Sequence, residues 1–281
     1  MKHKNKSILR VISLLLVVLA LLLFPNLMAK KNAPFKAGEE LKYDISLKYG
    51  ILMAKAGSAK FTVEKAELDS KEVTKTELSF RTSSMFDRIF KIRDTLQSFA
   101  DTNYSPLLHK KHLHEGKTEY IEEIQYLKHS NTESQVRSRR TKNGELKFDT
   151  LLTANQLGFD ILGVFTFART LDYENLNVGQ AFSITNFIGK DAVKMTIRFL
   201  GQNVLEKGDD KKFKSLKFEV DIVDKAFENH KNAMEMWISD DDNRVPLKLK
   251  ARLKIGAAEA ELSSYKNLKH PFSSMIIINK K

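Results

Sequence analysis

The chain has 281 residues, 42% of them hydrophobic, with no cysteine and a formal net charge of +12. That length supports one sizeable core. The lack of cysteine excludes disulfides, thiolate metal sites, cysteine nucleophiles and an N-terminal lipid anchor on cysteine. The positive surplus is spread along the chain rather than gathered into one block, which argues against a nucleic-acid reader.

Residues 1–10 are basic, with Lys2, Lys4, Lys6 and Arg10 and no acid. Residues 11–24 are almost wholly apolar; Ser13 is their one polar side chain. Pro25 and Asn26 end the run before Leu27-Met28-Ala29. This is the pattern of an export signal cut after Ala29. The alternative is an uncleaved anchor in the inner membrane through residues 11–24, a run shorter than the roughly 20 residues of a full span. Either way the basic end stays cytoplasmic, and residues 30–281 form a single domain in the periplasm or cell envelope.

Leu41, Tyr43, Ile45, Leu47 and Tyr49 alternate with polar residues, which predicts a half-buried strand stopped by Gly50. Gly57 precedes a second strand through Ala59, Phe61 and Val63, and a third covers 73–82. Residues 84–90 read as a turn with short helical character. Strands follow at 92–100, 107–114 and 119–127. Asn143-Gly144 is a hairpin signal between 135–141 and 145–148. From Phe159 the alternation stops. Phe159, Leu162, Phe165 and Arg169 mark one helix over 159–171, apolar on several sides and buried against the sheet. Strands resume at 181–188, 193–200 and 213–222.

The clearest stretch lies near the end. Met234, Met236 and Ile238 alternate with Glu235, Trp237 and Ser239. Asp240, Asp241, Asp242 and Asn243 then supply turn chemistry. Val245, Leu247, Leu249, Ala251, Leu253 and Ile255 share one face of the next strand. Arg244, Lys248, Lys250, Arg252 and Lys254 share the other. Pro246 sets the strand's beginning at an edge or bulge. After Gly256, Ala258, Ala260 and Leu262 alternate with Glu259 and Glu261. The basic row is either a stripe for an acidic partner or a solvated face paired with those glutamates; the second reading is favoured. Trp237 is either covered by a loop or an anchor for a partner, and burial is favoured. Residues 275–278 are a short apolar tail. Short strands with frequent turns predict an all-β, mainly antiparallel domain: a curved sheet or open barrel around one buried helix.

No phosphate-binding glycine loop, nucleophile elbow or zinc-protease helix is present. Ser263 and Lys266 match S-x-x-K without its partner elements. His109, His112, His114 and Glu115 are the densest group of metal-type ligands, and His112 and His114 share a strand face. A closed site would need further ligands, and two exposed strand histidines are the plainer reading. Asp240, Asp242 and Asn243 offer oxygens for calcium but lack the twelve-residue spacing. Arg93, Asp94 and Arg169 are charges in apolar surroundings, read as a buried ion pair that fixes the helix on the sheet.

Several blocks resemble one family. Phe35-Lys36-Ala37-Gly38-Glu39-Glu40-Leu41-Lys42-Tyr43, the Ala56-Gly57 step, and Phe86-Asp87-Arg88-Ile89-Phe90-Lys91-Ile92-Arg93-Asp94 belong to the likeness. So do Leu113-His114-Glu115-Gly116, Phe167-Ala168-Arg169-Thr170-Leu171-Asp172 and Met236-Trp237-Ile238-Ser239-Asp240-Asp241. Arg244-Val245-Pro246 and Ile255-Gly256 complete it. Together they are similar to the exported bacterial family labelled domain of unknown function 3108, over nearly all of residues 35–265. The resemblance implies an exported, β-rich envelope protein of the Bacteroidetes type and supplies no activity.

Two readings follow. In the first, the chain is a non-enzymatic binding or structural domain of the envelope, for an apolar or lipid-like ligand or an envelope partner. Its candidate ligand residues are Trp237, Phe159, Phe165, Arg169, Arg93 and Asp94. In the second, it is a metal-dependent hydrolase built on His109, His112 and His114. Neither reading needs an organic cofactor or nucleic acid, and membrane contact comes through the N-terminal segment if it is uncleaved.

Overall fold

The computed structural model describes residues 33–170, 173, 176–208, 211–223, 234–253 and 256–276. The predicted signal or anchor over 11–24, the helix end at Leu171, and Lys254, Ile255 and residues 277–278 lie outside this set. Among the described residues no helix is long and apolar enough to cross a membrane.

Alternating residues become strands of a single sheet. β1 (Glu40–Tyr49), β2 (Leu52–Leu68), β3 (Lys71–Thr82), β4 (Ile92–Ala100), β5 (Pro106–Glu115), β6 (Thr118–His129), β7 (Ser134–Lys142) and β8 (Glu145–Ala154) pair in chain order as one meander. β9 (Gly158–Phe159), β10 (Ala181–Ile188), β11 (Asp191–Lys207), β12 (Lys211–Val223), β13 (Met234–Ser239), β14 (Pro246–Arg252) and β15 (Ala257–Lys266) form a second. The two meanders join where β1 pairs antiparallel with β15. Only the short β9–β10 ladder is parallel among the described pairs, and β16 (Met275–Ile276) adds to β12. α1 (Ser84–Asp87) links β3 to β4, and α2 (Ile161–Arg169) links β9 to β10.

The sheet curls into a nearly closed barrel because its inward faces need a common apolar filling, and α2 supplies it. Ile161, Leu162, Val164, Phe165 and Ala168 are all buried. A helix apolar on every side has no stable place but a core. Phe165 packs on Phe61 of β2 with ring centroids 4.4 Å apart.

The two edges of the sheet meet without a ladder. Ile124, Val136, Ala154 and Phe187 form a small separate apolar cluster across this seam. Ser138 Oγ donates to the Gly189 carbonyl at 2.6 Å, and the Gly158 N–H donates to Ser134 Oγ at 2.8 Å. A Cβ on Gly158 would lie 2.6 Å from the Phe187 ring, so only glycine allows this approach. Glu122, buried beside the seam, takes Lys111 at 2.8 Å and also pairs with Arg140. Burial opposes its charge, but those two cations outweigh it and hold the carboxyl at about 2.

Several expectations need correcting. Phe159 belongs to β9, and the helix begins at Ile161. Asp160 stops the strand by capping the helix: its Oδ1 accepts the Leu162 and Gly163 N–H groups at 3.0 and 2.9 Å. β2 starts at Leu52 rather than Gly57, β8 runs to Ala154, and β11 runs to Lys207, because the hairpin ladders continue beyond the most apolar stretch. Arg93, Asp94 and Arg169 do not form one ion pair. Arg93 pairs with Asp87 at 2.6 Å on the rim. Arg169 instead meets Glu39, a residue just ahead of the first alternating run. Its two terminal nitrogens reach the Glu39 carboxylate at 2.5 and 3.1 Å, and the Asn243 carbonyl accepts at 2.8 and 3.2 Å.

Of the basic row, Lys248 pairs with the two glutamates as expected, although Glu259 is buried rather than solvated, while Lys250 and Arg244 pair with Glu235 and Asp240 instead. Lys248 lies 2.7 Å from Glu259 and 2.5 Å from Glu261. Asp241 accepts the Asn243 N–H at 3.0 Å and the Ser274 N–H at 3.2 Å, which is turn chemistry.

Glu39 and Arg169 are both fully buried, so removing one leaves an uncompensated charge in the core. Arg169→Ala is expected to lose about 3–5 kcal/mol of unfolding free energy in a urea titration. The Glu39→Ala/Arg169→Ala double variant should lose less than the sum of the singles.

Candidate functional site

Two polar centres stand out, one inside the barrel and one outside. The inner centre surrounds Asp160. Ser98 and His109 face each other across β4 and β5. Ser98 Oγ lies 3.0 Å from both Asp160 oxygens, and His109 Nδ1 lies 3.1 Å from Oδ1. The Tyr126 hydroxyl donates to Oδ2 at 3.2 Å and accepts the Asp160 N–H. Burial alone would raise this carboxyl. Attraction to His109 and the surrounding donors outweigh burial and bring it down to about 2. His129 nearby is held down to about 4, chiefly by burial, with its ring against Phe159.

Ser98, His109 and Asp160 are the residue types of a hydrolytic triad, but the arrangement is wrong for one. A working histidine bridges the nucleophile and the acid. Here the serine and the histidine both aim at the acid, and all three are buried. The geometry clamps a carboxylate and thereby fixes the start of α2. Sequence reasoning did not single out Asp160, although an acid just before an apolar helical run is a start signal.

The outer centre is a trough of about 760 Å³ across the outward faces of β1 to β5, with Ser263 of β15 at its side. Strand register builds it in two rows. Lys42, Lys60, Ser79, Thr95 and His112 are successive cross-strand partners, and so are Asp44, Ser58, Arg81, Arg93 and His114. Tyr43, Ala59 and Phe80, in the row between these two, are buried and face inward beneath its floor. Lys42 pairs with Glu40 at 3.1 Å, and Arg93 with Asp87. Lys60 and Arg81 are exposed, and neither has a carboxylate partner within 4.0 Å among the described residues. A second, smaller cavity of about 450 Å³ is lined by Tyr173, Leu176, Phe199, Leu216, Asp240 and Arg244.

At the trough's end His112 Nε2 lies 2.7 Å from Glu119 Oε1, and His114 Nε2 lies 3.7 Å from it. Ligand atoms of these three residues fall within 4.8 Å of one another, so they could hold a divalent transition ion. His109 cannot join them. Period two sends His109, Lys111 and Leu113 inward and His112 and His114 outward. The three-histidine centre expected from the sequence is therefore not assembled.

The other sequence candidates scatter. Phe159, Phe165 and Arg169 are sealed in the core. Trp237 is half-buried on the outer face of β13 beneath the Lys217 ammonium, 5.0 Å from its ring centroid, and lies outside the trough. Arg93 and Asp94 do line it. Asp94 is buried, its Oδ1 accepts the His114 N–H at 3.1 Å, and its Oδ2 has no hydrogen-bond partner among the described residues. Burial, with the Glu115 charge behind it, pushes this carboxyl up to about 8.

A wrapped antiparallel sheet plugged by one helix defines a β-barrel-like domain. In keeping with that class, a crystal structure titled "Beta-barrel-like Protein of Domain of Unknown Function DUF1849 from Brucella abortus" is similar in fold. The TM-score is 0.52 and the identity 9%, over 85% of this chain and all of that one. Among curated proteins, none matches this sequence. The chain belongs to the family described as "Protein of unknown function (DUF3108)", whose model matches residues 42–263. Fold and family together define an all-β domain and specify no reaction.

The Asp94 carboxyl stays neutral in the folded chain up to about pH 8, whereas an unfolded aspartate ionises near about 3.9. The stability tied to its neutral form is full below about pH 4 and is lost as pH rises through about 8. Asp94→Asn keeps the neutral shape. It is expected to stabilise the fold by about 1–3 kcal/mol at about pH 9 and by much less at about pH 5, read by paired denaturant titrations.

Proposed function

We propose that this protein is a non-enzymatic domain of the cell envelope that holds an anionic, lipid-like ligand in the outer trough. The observation that carries the reading is the pair Lys60 and Arg81. They stand diagonally on neighbouring strands, exposed and without acid partners among the described residues, in a trough whose lining exposes apolar as well as polar atoms. Almost every other cation in the two rows has an acid partner. Unpaired cations beside apolar surface suit a ligand with an anionic head and an apolar body. The interior, where the candidates Phe159, Phe165 and Arg169 lie, is filled by α2, which favours the outside. The envelope location rests on the basic and apolar segments of residues 1–24.

The metal-dependent hydrolase is the weaker reading, since His109 sits on the far side of the sheet from His112 and His114. Mass spectrometry of the purified, gently extracted protein tests the trough directly. An anionic amphiphile should co-purify in stoichiometric amount, and Lys60→Glu/Arg81→Glu should reduce its retention at least about tenfold, since removing one charge-assisted hydrogen bond costs on the order of 1.5–3 kcal/mol. A clean spectrum, or equal retention by the double variant, would remove the trough as a ligand site.

A further inference from the structure

Antiparallel meanders send alternate connections to opposite ends of a barrel. The β1–β2, β3–β4, β5–β6 and β7–β8 connections therefore share one end. At that end the β1–β2 hairpin outreaches its neighbour. Gly57 is the β2 residue paired with Thr82, the last of β3, so Leu52 to Ala56 project beyond it. The projecting tip is apolar and bare. Ile51 is 99% exposed and Leu52 69%, and Tyr49 and Met53 beside them are exposed as well. Met85 and Ile89, also exposed, flank the hairpin on the α1 connection, which is tied to it by Ser83 donating to the Lys55 and Ala56 carbonyls at 3.2 and 2.8 Å.

Cations lie on or beside the connections of this same end. Lys48, Arg88, Lys91 and Lys117 are exposed, and none has a carboxylate partner within 4.0 Å among the described residues. Exposed apolar side chains grouped on one projection mark an interaction surface. Apolar side chains sharing one end with unpaired lysine and arginine fit one partner by charge and by layering: a bilayer with an anionic headgroup zone over an acyl core.

We propose that the β1–β2 end of the barrel docks on anionic lipid bilayers, with Ile51 and Leu52 entering the acyl boundary and the cations of that end meeting the headgroups. This surface is separate from the trough and stands even if the trough binds nothing. The cysteine-free chain makes the test clean. Ile51→Cys in the full chain takes a single environment-sensitive fluorophore, and Ser70→Cys at the far turn is the matched control. On vesicles containing phosphatidylglycerol the label at position 51 should shift to the blue and be quenched by brominated acyl chains, while the label at position 70 stays as in water. Lys48→Glu/Lys91→Glu/Lys117→Glu should weaken the position-51 signal at least about tenfold, consistent with about one headgroup interaction removed per reversed charge. The reading fails if the label at position 51 remains water-exposed on these vesicles. It fails equally if position 70 responds as strongly, or if the position-51 shift appears without lipid as protein concentration rises, which would make a second copy the occupant. Because the readout comes from the tip itself, insertion of residues 11–24 into the same vesicles cannot imitate it.

Discussion

The structure depends on one buried helix held at both ends. Asp160 caps the start of α2 and is itself gripped by Ser98, His109 and Tyr126 from three adjacent strands. Arg169 closes the last turn and is gripped by Glu39 and by the Asn243 carbonyl. An acid at the N-terminus and a base at the C-terminus also suit the helix dipole. The anchors come from β4, β5 and β6 on one side, and from the entry to β1 and the turn after β13 on the other. The helix therefore ties both meanders to itself, and the sheet has to wrap around it. Such polar anchors add little net stability compared with apolar packing, but breaking one partner is costly, and so they fix where the helix lies.

A filled interior leaves the outside to do the binding. Many outward charges on the strands face each other in cross-strand pairs such as Lys65 with Glu72, or Arg137 with Asp149. Exposed pairs of this kind contribute only a few tenths of a kcal/mol to about 1. They keep the surface soluble and carry no message. Cations without acid partners among the described residues recur over the surface, as at Lys71, Lys190, Lys194 and Lys211, and two groups matter here: those of the trough on β2 and β3, and those at the end that carries the β1–β2 tip. Both lie on the same meander, so lipid-like chemistry in the trough and a bilayer at the tip would be neighbours.

The strands were legible because period two survives almost everywhere along the chain. Met234, Met236 and Ile238 point inward as their spacing requires, and so do Leu41, Tyr43 and Ile45. The helix was legible as a break in that pattern, but its start was misplaced by two residues because Phe159 is as apolar in a strand as in a helix. The family resemblance was carried by blocks that the family model also spans. Charge partners were not legible. Glu39 sits just ahead of the first alternating run, 130 residues from Arg169, and nothing local announces the pairing. Nor was the trough visible, since it exists only once β1 to β5 are set side by side in register. The histidines show the same limit: three in six residues suggest one site, and the pleat splits them between two faces.

Native-state hydrogen exchange followed by mass spectrometry tests the pinned helix most directly. Amides of residues 161–169 are expected to exchange only through global unfolding, with the same opening free energy as the amides of β2, β3 and β14. Exchange of that segment through a cheaper local opening, while the strands stay protected, would contradict it: the helix would then be a loosely held insert, and the barrel would stand without it.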